Sequence, residues 1–373
     1  MRFAACLAAL GILASACAPV VKESSSPVPS ESPGETATPN PDATPAPSPS
    51  ISQKRPRFFV ASESTDQVWV VEGDPLAVVA KIPVGRFPHN ISVSPDGRWV
   101  AVANRFGNTT SIIHPRELKE VARVSVARQP HDLIWSPDAK TLFVGSEREG
   151  FIHRIEAGTW KPLPPLVVGV PQHTLAIWKD RPNELWFTLT NTDMPNVLRV
   201  YDLVTNQITQ IKANDVHDVY FTPDGSEAWS SSSGFIAKPS DRMLIYDPVA
   251  RTVKEEIHFP GRYPFHTMKQ NRDALFFVDQ TDTMVLSDHQ QESLMIVDWR
   301  ARKIVGSVKL RDPAVPCSCA NGVQPFHTAS TPRRYYTTTN KDNSLRVIDA
   351  NALTVLQRIE IPAPHGVVLV PLD

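Results

Sequence analysis

A histidine leading an apolar run occurs seven times along the chain, at His89, His131, His173, His217, His266, His327 and His365, with separations of 42, 42, 44, 49, 61 and 38 residues. Each return is followed by further short runs of apolar and β-branched residues, and the chain body begins on three such runs and ends on a single one. These observations predict an all-β fold, a seven-bladed β-propeller with velcro closure, in which the C-terminal strand completes the N-terminal blade.

Residues 1–17, "MRFAACLAALGILASAC", place one positive charge, Arg2, ahead of an apolar run too short to span a bilayer. Small residues follow, which predicts a secretory signal peptide. The run closes on Cys17 in "LASAC", which resembles the bacterial lipobox, whose cysteine is lipidated and becomes the mature N-terminus. Ala14 stands where leucine is usual, and an ordinary cleavable signal is the alternative. Residues 18–56 are rich in Pro, Ser and Thr, with too little apolar surface to offset ordering entropy, and predict a disordered tether. Together the two segments predict an extracytoplasmic protein, periplasmic or at the cell surface, anchored to a membrane by lipid on Cys17. A net charge of −1 offers no argument for nucleic acid, and a monomer or homodimer is expected.

The body, 57–373, is long enough for a large core. In the unit that starts at His89 the runs are "ISVS", "RWVAVANR", "TSIIH" and "EVARVSV", punctuated by "PDG", "FGN" and "PREL". Third runs often close on an aspartate: Asp202, Asp247, Asp298 and Asp349 are expected to start turns by bonding nearby backbone. The opening runs "RFFVAS", "DQVWVVEG" and "AVVAKIPV" lack a first strand, and the terminal "HGVVLVPLD" supplies it. Joining them removes the exposed edges of an open ring. The units resemble the YVTN-type propeller repeat, closest in "SPDGRWVAVAN" (94–104) and "SPDAKTLFVGS" (136–146). That resemblance implies the fold and not an activity.

In such a fold the loop into each first strand lies at the mouth of the central channel, so the seven histidines are expected to converge on one axis. With eleven histidines in the chain, seven arbitrary positions would hold well under one. The residues before them (Pro, Pro, Gln, Val, Phe, Phe, Pro) and after them (Asn, Asp, Thr, Asp, Thr, Thr, Gly) drift while histidine stays. Crowded imidazoles repel one another when protonated and so remain neutral lone-pair donors. Neutral imidazole suits transition metals, and few carboxylates among the seven positions argue against calcium or magnesium. A single tetrahedral zinc would leave nitrogens unused, so copper, in one or several ions, is the expected metal. Glu63, Arg105, Glu147, Asp282 and Lys341, from loops between second and third strands, are candidates to orient the rings.

The seven positions are similar to the histidine ring that holds the copper–sulfide cluster in the propeller domain of nitrous oxide reductase. That family also carries a C-terminal cupredoxin domain, which is not expected here. The resemblance implies a copper-binding protein with another electron partner, or one that stores or delivers metal.

The unit after His266 is the longest, with "VDQTDTMVLSDHQQES" (278–293) and "LRDPAVPCSCANGVQPF" (310–326) as extensions toward the histidine face. Cys317 and Cys319 in the second form either a disulfide or ligands for a soft metal. Met284 and His289 are expected to face solvent, and His114, His153 and His258 to lie off the ring. No nucleophile elbow, phosphate loop, dinucleotide fingerprint or haem-attachment motif occurs. Three functions fit: a copper-site redox enzyme or copper carrier, a scaffold for protein, peptide or wall glycan, and a lactonase-like hydrolase using ring histidines as base.

Overall fold

The apolar runs of each unit form four antiparallel strands, because their residues must bury both faces and have no helical period to follow. The computed structural model describes residues 56–370 except 127, 190–197, 214–215, 223, 233–241, 260–264, 272–273, 280–292, 311–324 and 332; for 231–232, 265–271, 274–279 and 325–326 it describes backbone alone. Residues 1–55, which hold the expected signal with Cys17 and all but the last residue of the expected tether, lie outside the described residues, as do Cys317, Cys319, Asp282, Met284 and His289.

Among the described residues there are seven four-stranded sheets. Their first strands touch in a closed cycle: Pro88–Val93, Pro130–Trp135, Gln172–Ile177, Val216–Phe221, Phe265–Asn271, Pro325–Thr331, Pro364–Val370 and back to Pro88–Val93. This is a β-propeller. The closing sheet joins both ends of the chain, with Arg57 opposite Val370 and Phe59 opposite Val368. The expected closure is therefore observed, and it pairs an edge that would otherwise be a template for aggregation.

The core is a series of layers between neighbouring sheets. Phe59, Val68 and Val70 of the closing sheet pack on Ile91, Val100 and Val102 of the next, and Trp186 lies with Val219 and Tyr246 across another junction. Second strands are therefore buried on both faces, as in Val100–Asn104, whereas the outermost Lys119–Ser125 alternates exposed residues with half-buried or buried ones. The first reads as a continuous apolar run and the second as period two, for this one reason. Arg57 is buried at the closing junction, where its guanidinium meets Glu72 at 2.7 Å and the Pro115 carbonyl at 2.9 Å.

In six sheets the inner strand carries one extra residue at its histidine. Pro88 pairs with Asn104 and Ile91 with Val102, so His89 and Asn90 together face Ala103. The same bulge holds His131 with Asp132, His173 with Thr174, His217 with Asp218, His266 with Thr267 and His365 with Gly366. In the remaining sheet it falls on Phe326 and His327. Such a bulge unpairs the strand locally and re-aims two side chains. Gly366 is required where it stands, since a Cβ there would lie 2.7 Å from the His89 carbonyl oxygen.

The turns follow the expected chemistry. Asp202 Oδ1 accepts the Val204 and Thr205 N–H groups, and Asp247, Asp298 and Asp349 do the same two or three residues on. In "SPDG" Asp96 accepts from Ser94 Oγ and the Arg98 N–H, and Asp138 repeats this with Ser136 and Lys140. The fourth residue is left-handed in both, Gly97 at φ 68° and Ala139 at φ 57°. Ala139 pays a steric cost there that glycine avoids. Ala139→Gly is expected to raise stability by about 0.5–1 kcal/mol; urea unfolding checks this, and a loss would show that the unfolded-state entropy of glycine dominates.

Candidate functional site

Three turns into first strands, those leading to Pro88, Pro130 and Pro364, are locked by the same pair of bonds from one residue's backbone. Phe87, Gln129 and Ala363 are left-handed, at φ 57°, 51° and 38°, and each directly precedes a Pro-His pair. Their N–H groups donate to Asp66 Oδ1 (2.8 Å), Asn108 Oδ1 (3.0 Å) and Asn343 Oδ1 (2.8 Å). Their carbonyls accept the N–H groups of Arg105 (2.9 Å), Glu147 (3.1 Å) and Glu63 (3.0 Å). A bulky residue in this region is uncommon and needs such support. The second set of bonds also fixes Glu63, Arg105 and Glu147 in equivalent places beside the histidines.

Six imidazoles then form an unbroken arc. Ring centroids are 4.8 Å apart for His327–His365, 3.6 Å for His365–His89, 4.8 Å for His89–His131, and 4.2 Å for both His131–His173 and His173–His217. His266 occupies the equivalent bulge, and its side chain lies outside the described residues. The histidines that were expected off the ring make their contacts elsewhere: His114 packs edge-on to Trp99, while His153 and His258 approach Glu149 and Glu256.

Neighbouring oxygen atoms orient the rings, and one of them assigns a tautomer. His131 Nδ1 is 2.9 Å from the His173 carbonyl, which can only accept, so Nδ1 carries the proton and Nε2 the lone pair. Glu63 Oε1 is 2.6 Å from His89 Nδ1, and Asp218 Oδ1 lies 3.3 Å and 3.2 Å from the Nδ1 atoms of His173 and His217. Carboxylates on Nδ1 favour the same tautomer, turning Nε2 lone pairs outward from the bond. Glu147 differs: its Oε1 is 3.6 Å from His131 Nε2, while Oε2 accepts from Arg105 at 2.6 Å.

Burial dominates the protonation of these groups. It pushes His131 down to about 3, with Arg105 adding to the effect, and His173 to about 4, helped by His217 and His131. His89 is held well below its ordinary value by burial and then by His365 and His131. Glu63 is raised by burial to about 7, against a hydrogen bond from Asn340 and the charges of Arg105 and Lys341. Burial also works against ionised Asp218, but contacts with His217 and His173 outweigh it and hold the carboxyl low. His89, His131 and His173 are thereby neutral at pH 7, as the crowding argument expects.

Two corrections follow. Carboxylates are not scarce, since Glu63 and Glu147 reach the arc from loops two strands away, and Asp132 and Asp218 lie on the bulges themselves. Four of the residues after the histidines, taken above as drifting, line a cavity beside the ring. The bulge turns Asn90, Asp132, Thr174 and Asp218 toward a cavity that Tyr220 and four histidines also line. The overlooked signal was chemical: six of those seven residues are Asn, Asp or Thr, all short and hydrogen-bonding.

The model of the YNCE-like β-propeller family matches residues 33–168. No curated protein matches. Among solved structures the chain is similar to Kuenenia stuttgartiensis hydrazine synthase, with TM-score 0.67 and 16% identity over 76% of this chain and 90% of that one. It is similar to the periplasmic gluconolactonase PpgL of Pseudomonas aeruginosa, with TM-score 0.65 and 15% identity over 86% and 100%. Dihydro-heme d1 dehydrogenase NirN, solved in complex with DHE, gives TM-score 0.62 and 18% identity over 89% and 79%. At these identities the likeness is one of fold.

Depressed histidines have a consequence for stability. As pH falls below 6.5 the unfolded chain takes up protons that native His131 and His173 refuse until about 3–4, so stability is lost in that window. Glu63 acts oppositely, its contribution being complete below 4.5 and lost as pH rises through about 7, but it is one group against at least two. Metal-free protein should lose about 1.4 kcal/mol per pH unit for each net proton between pH 6.5 and 4. Thermal melts across that range test this, and His131→Asn should flatten the slope; an unchanged midpoint would contradict the assigned neutrality.

Proposed function

We propose that the histidine ring is a transition-metal site, with copper as its metal, on an extracytoplasmic propeller anchored to a membrane through Cys17. The contact that carries the proposal is His131 Nε2 opposite Glu147 Oε1 at 3.6 Å. With Nδ1 protonated on the His173 carbonyl, two acceptors face each other in a buried place, and a cation between them relieves the repulsion. The spacing suits two ligand atoms each about 2 Å from one ion.

The donor set supports the same reading. Two imidazoles bound at right angles to one ion hold ring centres roughly 4.5 Å apart, and four of the five neighbouring pairs lie at 4.2–4.8 Å. His89, His131, His173 and His217 would present Nε2, with His266, His327 and His365 completing the circle. Glu63 and Asp218 would hold Nδ1 protons, and Glu147 would add an oxygen donor. So many nitrogens exceed what a tetrahedral zinc uses, and imidazole suits copper. Copper would supply one-electron chemistry toward a small substrate, with an outside protein as electron source, or would be stored and handed to a delivery partner. The resemblance to nitrous oxide reductase enters this proposal for the ligands and not for that reaction. Cys317 and Cys319 remain a disulfide or soft-metal ligands within the same reading.

A hydrolytic reading has one observation in its favour. Glu63 and His89 form a 2.6 Å pair of the kind used in general acid–base catalysis, and a gluconolactonase shares the fold. Lactone hydrolysis by metal-free protein, abolished in Glu63→Gln, would favour it.

The principal test is metal analysis of tag-free protein resupplied with copper. At least one copper per chain is expected, lost in the His131→Ala/His173→Ala double variant, with affinity falling roughly tenfold or more in Glu147→Gln. Folded wild-type protein that stays empty of copper would overturn the reading.

A further inference from the structure

The residues that follow the histidines raise a separate question. Asp132 and Asp218 bring two carboxyl groups into one cavity with Asn90, Thr174 and Tyr220, and no lysine or arginine lines it among the described residues. Burying carboxylates is costly without donors or a cation. Part of that cost is met by protein groups. Asp132 accepts the N–H groups of Leu133 (2.9 Å) and Leu175 (2.8 Å), and Asp218 Oδ1 takes the Thr174 hydroxyl and faces two imidazoles. All these Asp218 contacts use Oδ1 alone.

Asn90 is the telling neighbour. It is only 5% exposed, its Nδ2 donates toward Asp132 Oδ1 at 3.5 Å, and its Oδ1 has no hydrogen-bond partner. A buried amide oxygen left without a donor, beside two carboxyl groups, lacks a positive group and not another acceptor. The bulge makes the cluster possible, since the histidine and the residue after it both leave the strand's pairing together.

We propose that Asn90, Asp132, Thr174 and Asp218 form a second cation site, distinct from the imidazole ring and selective for a hard divalent ion of the calcium class. The donors are all oxygen: an amide carbonyl, two carboxylates and a hydroxyl. That set matches calcium, which accepts irregular oxygen cages of mixed carboxylate and carbonyl ligands, and mismatches copper, which favours the nitrogens. Two carboxylates neutralise one divalent charge. The residues come from four neighbouring sheets of the propeller, so a bound ion would tie those sheets together.

Calorimetric titration of CaCl2 into chelator-treated full chain tests the site, with thermal melts in parallel. One calcium per chain and a raised midpoint are expected. Asn90→Ala, which removes the orphaned oxygen and leaves the backbone bonds of Asp132 in place, should weaken calcium binding at least tenfold while copper loading stays unchanged. Asp132→Asn should do the same if it folds. Absence of calcium binding, or calcium affinity untouched by Asn90→Ala in a folded variant, would overturn the site. Loss of copper without loss of calcium would count against the ring alone, so the two sites fail separately.

Discussion

The one-residue bulge at the head of each inner strand is the constraint from which the candidate site follows. A regular strand would alternate its side chains, sending a histidine to one face and its successor to the other. The extra residue breaks that alternation at the same place in sheet after sheet, so both side chains leave the ladder at the channel mouth. Left-handed residues before the Pro-His pairs at 88, 130 and 364, capped by Asp66, Asn108 and Asn343, hold the approach to the bulge. Ring closure then converts a repeated local feature into a convergent one.

Convergence sets the electrostatics. Imidazoles removed from water and placed 3.6–4.8 Å centre to centre cannot share positive charge, so burial and mutual repulsion both favour the neutral form. Carboxylates around them divide into two kinds. Glu63 and Asp218 sit on Nδ1 atoms and orient rings, whereas Glu147 faces a lone pair. The first arrangement satisfies itself with protons already present. The second does not, and it is there that a metal finds its clearest place in the proposed function.

Different parts of the molecule were legible to different degrees. The strand runs, the turn aspartates and the closing strand were readable because each is written in local chemistry: period, capping side chains and complementary ends. The histidines were readable because they recur against a changing background. Glu63, Arg105 and Glu147 were readable only as loop candidates, since their approach depends on a carbonyl of the same blade, 18 residues away for Arg105 and Glu147 and 300 for Glu63. Asn90, Asp132, Thr174 and Asp218 were misjudged as drift because their shared orientation arises from a bulge, and the short hydrogen-bonding character they have in common shows only when all the units are compared.

By itself the sequence determined the repeat, the order of strands and the position of one histidine per unit, because these depend on neighbours within a few residues. Tertiary structure alone decided which nitrogen of His131 is protonated, which carboxylates meet the rings, and that a second layer of oxygens lies beside the first. Those outcomes depend on distances between residues from separate blades, set by how seven twisted sheets pack in a circle, and no local pattern encodes such distances.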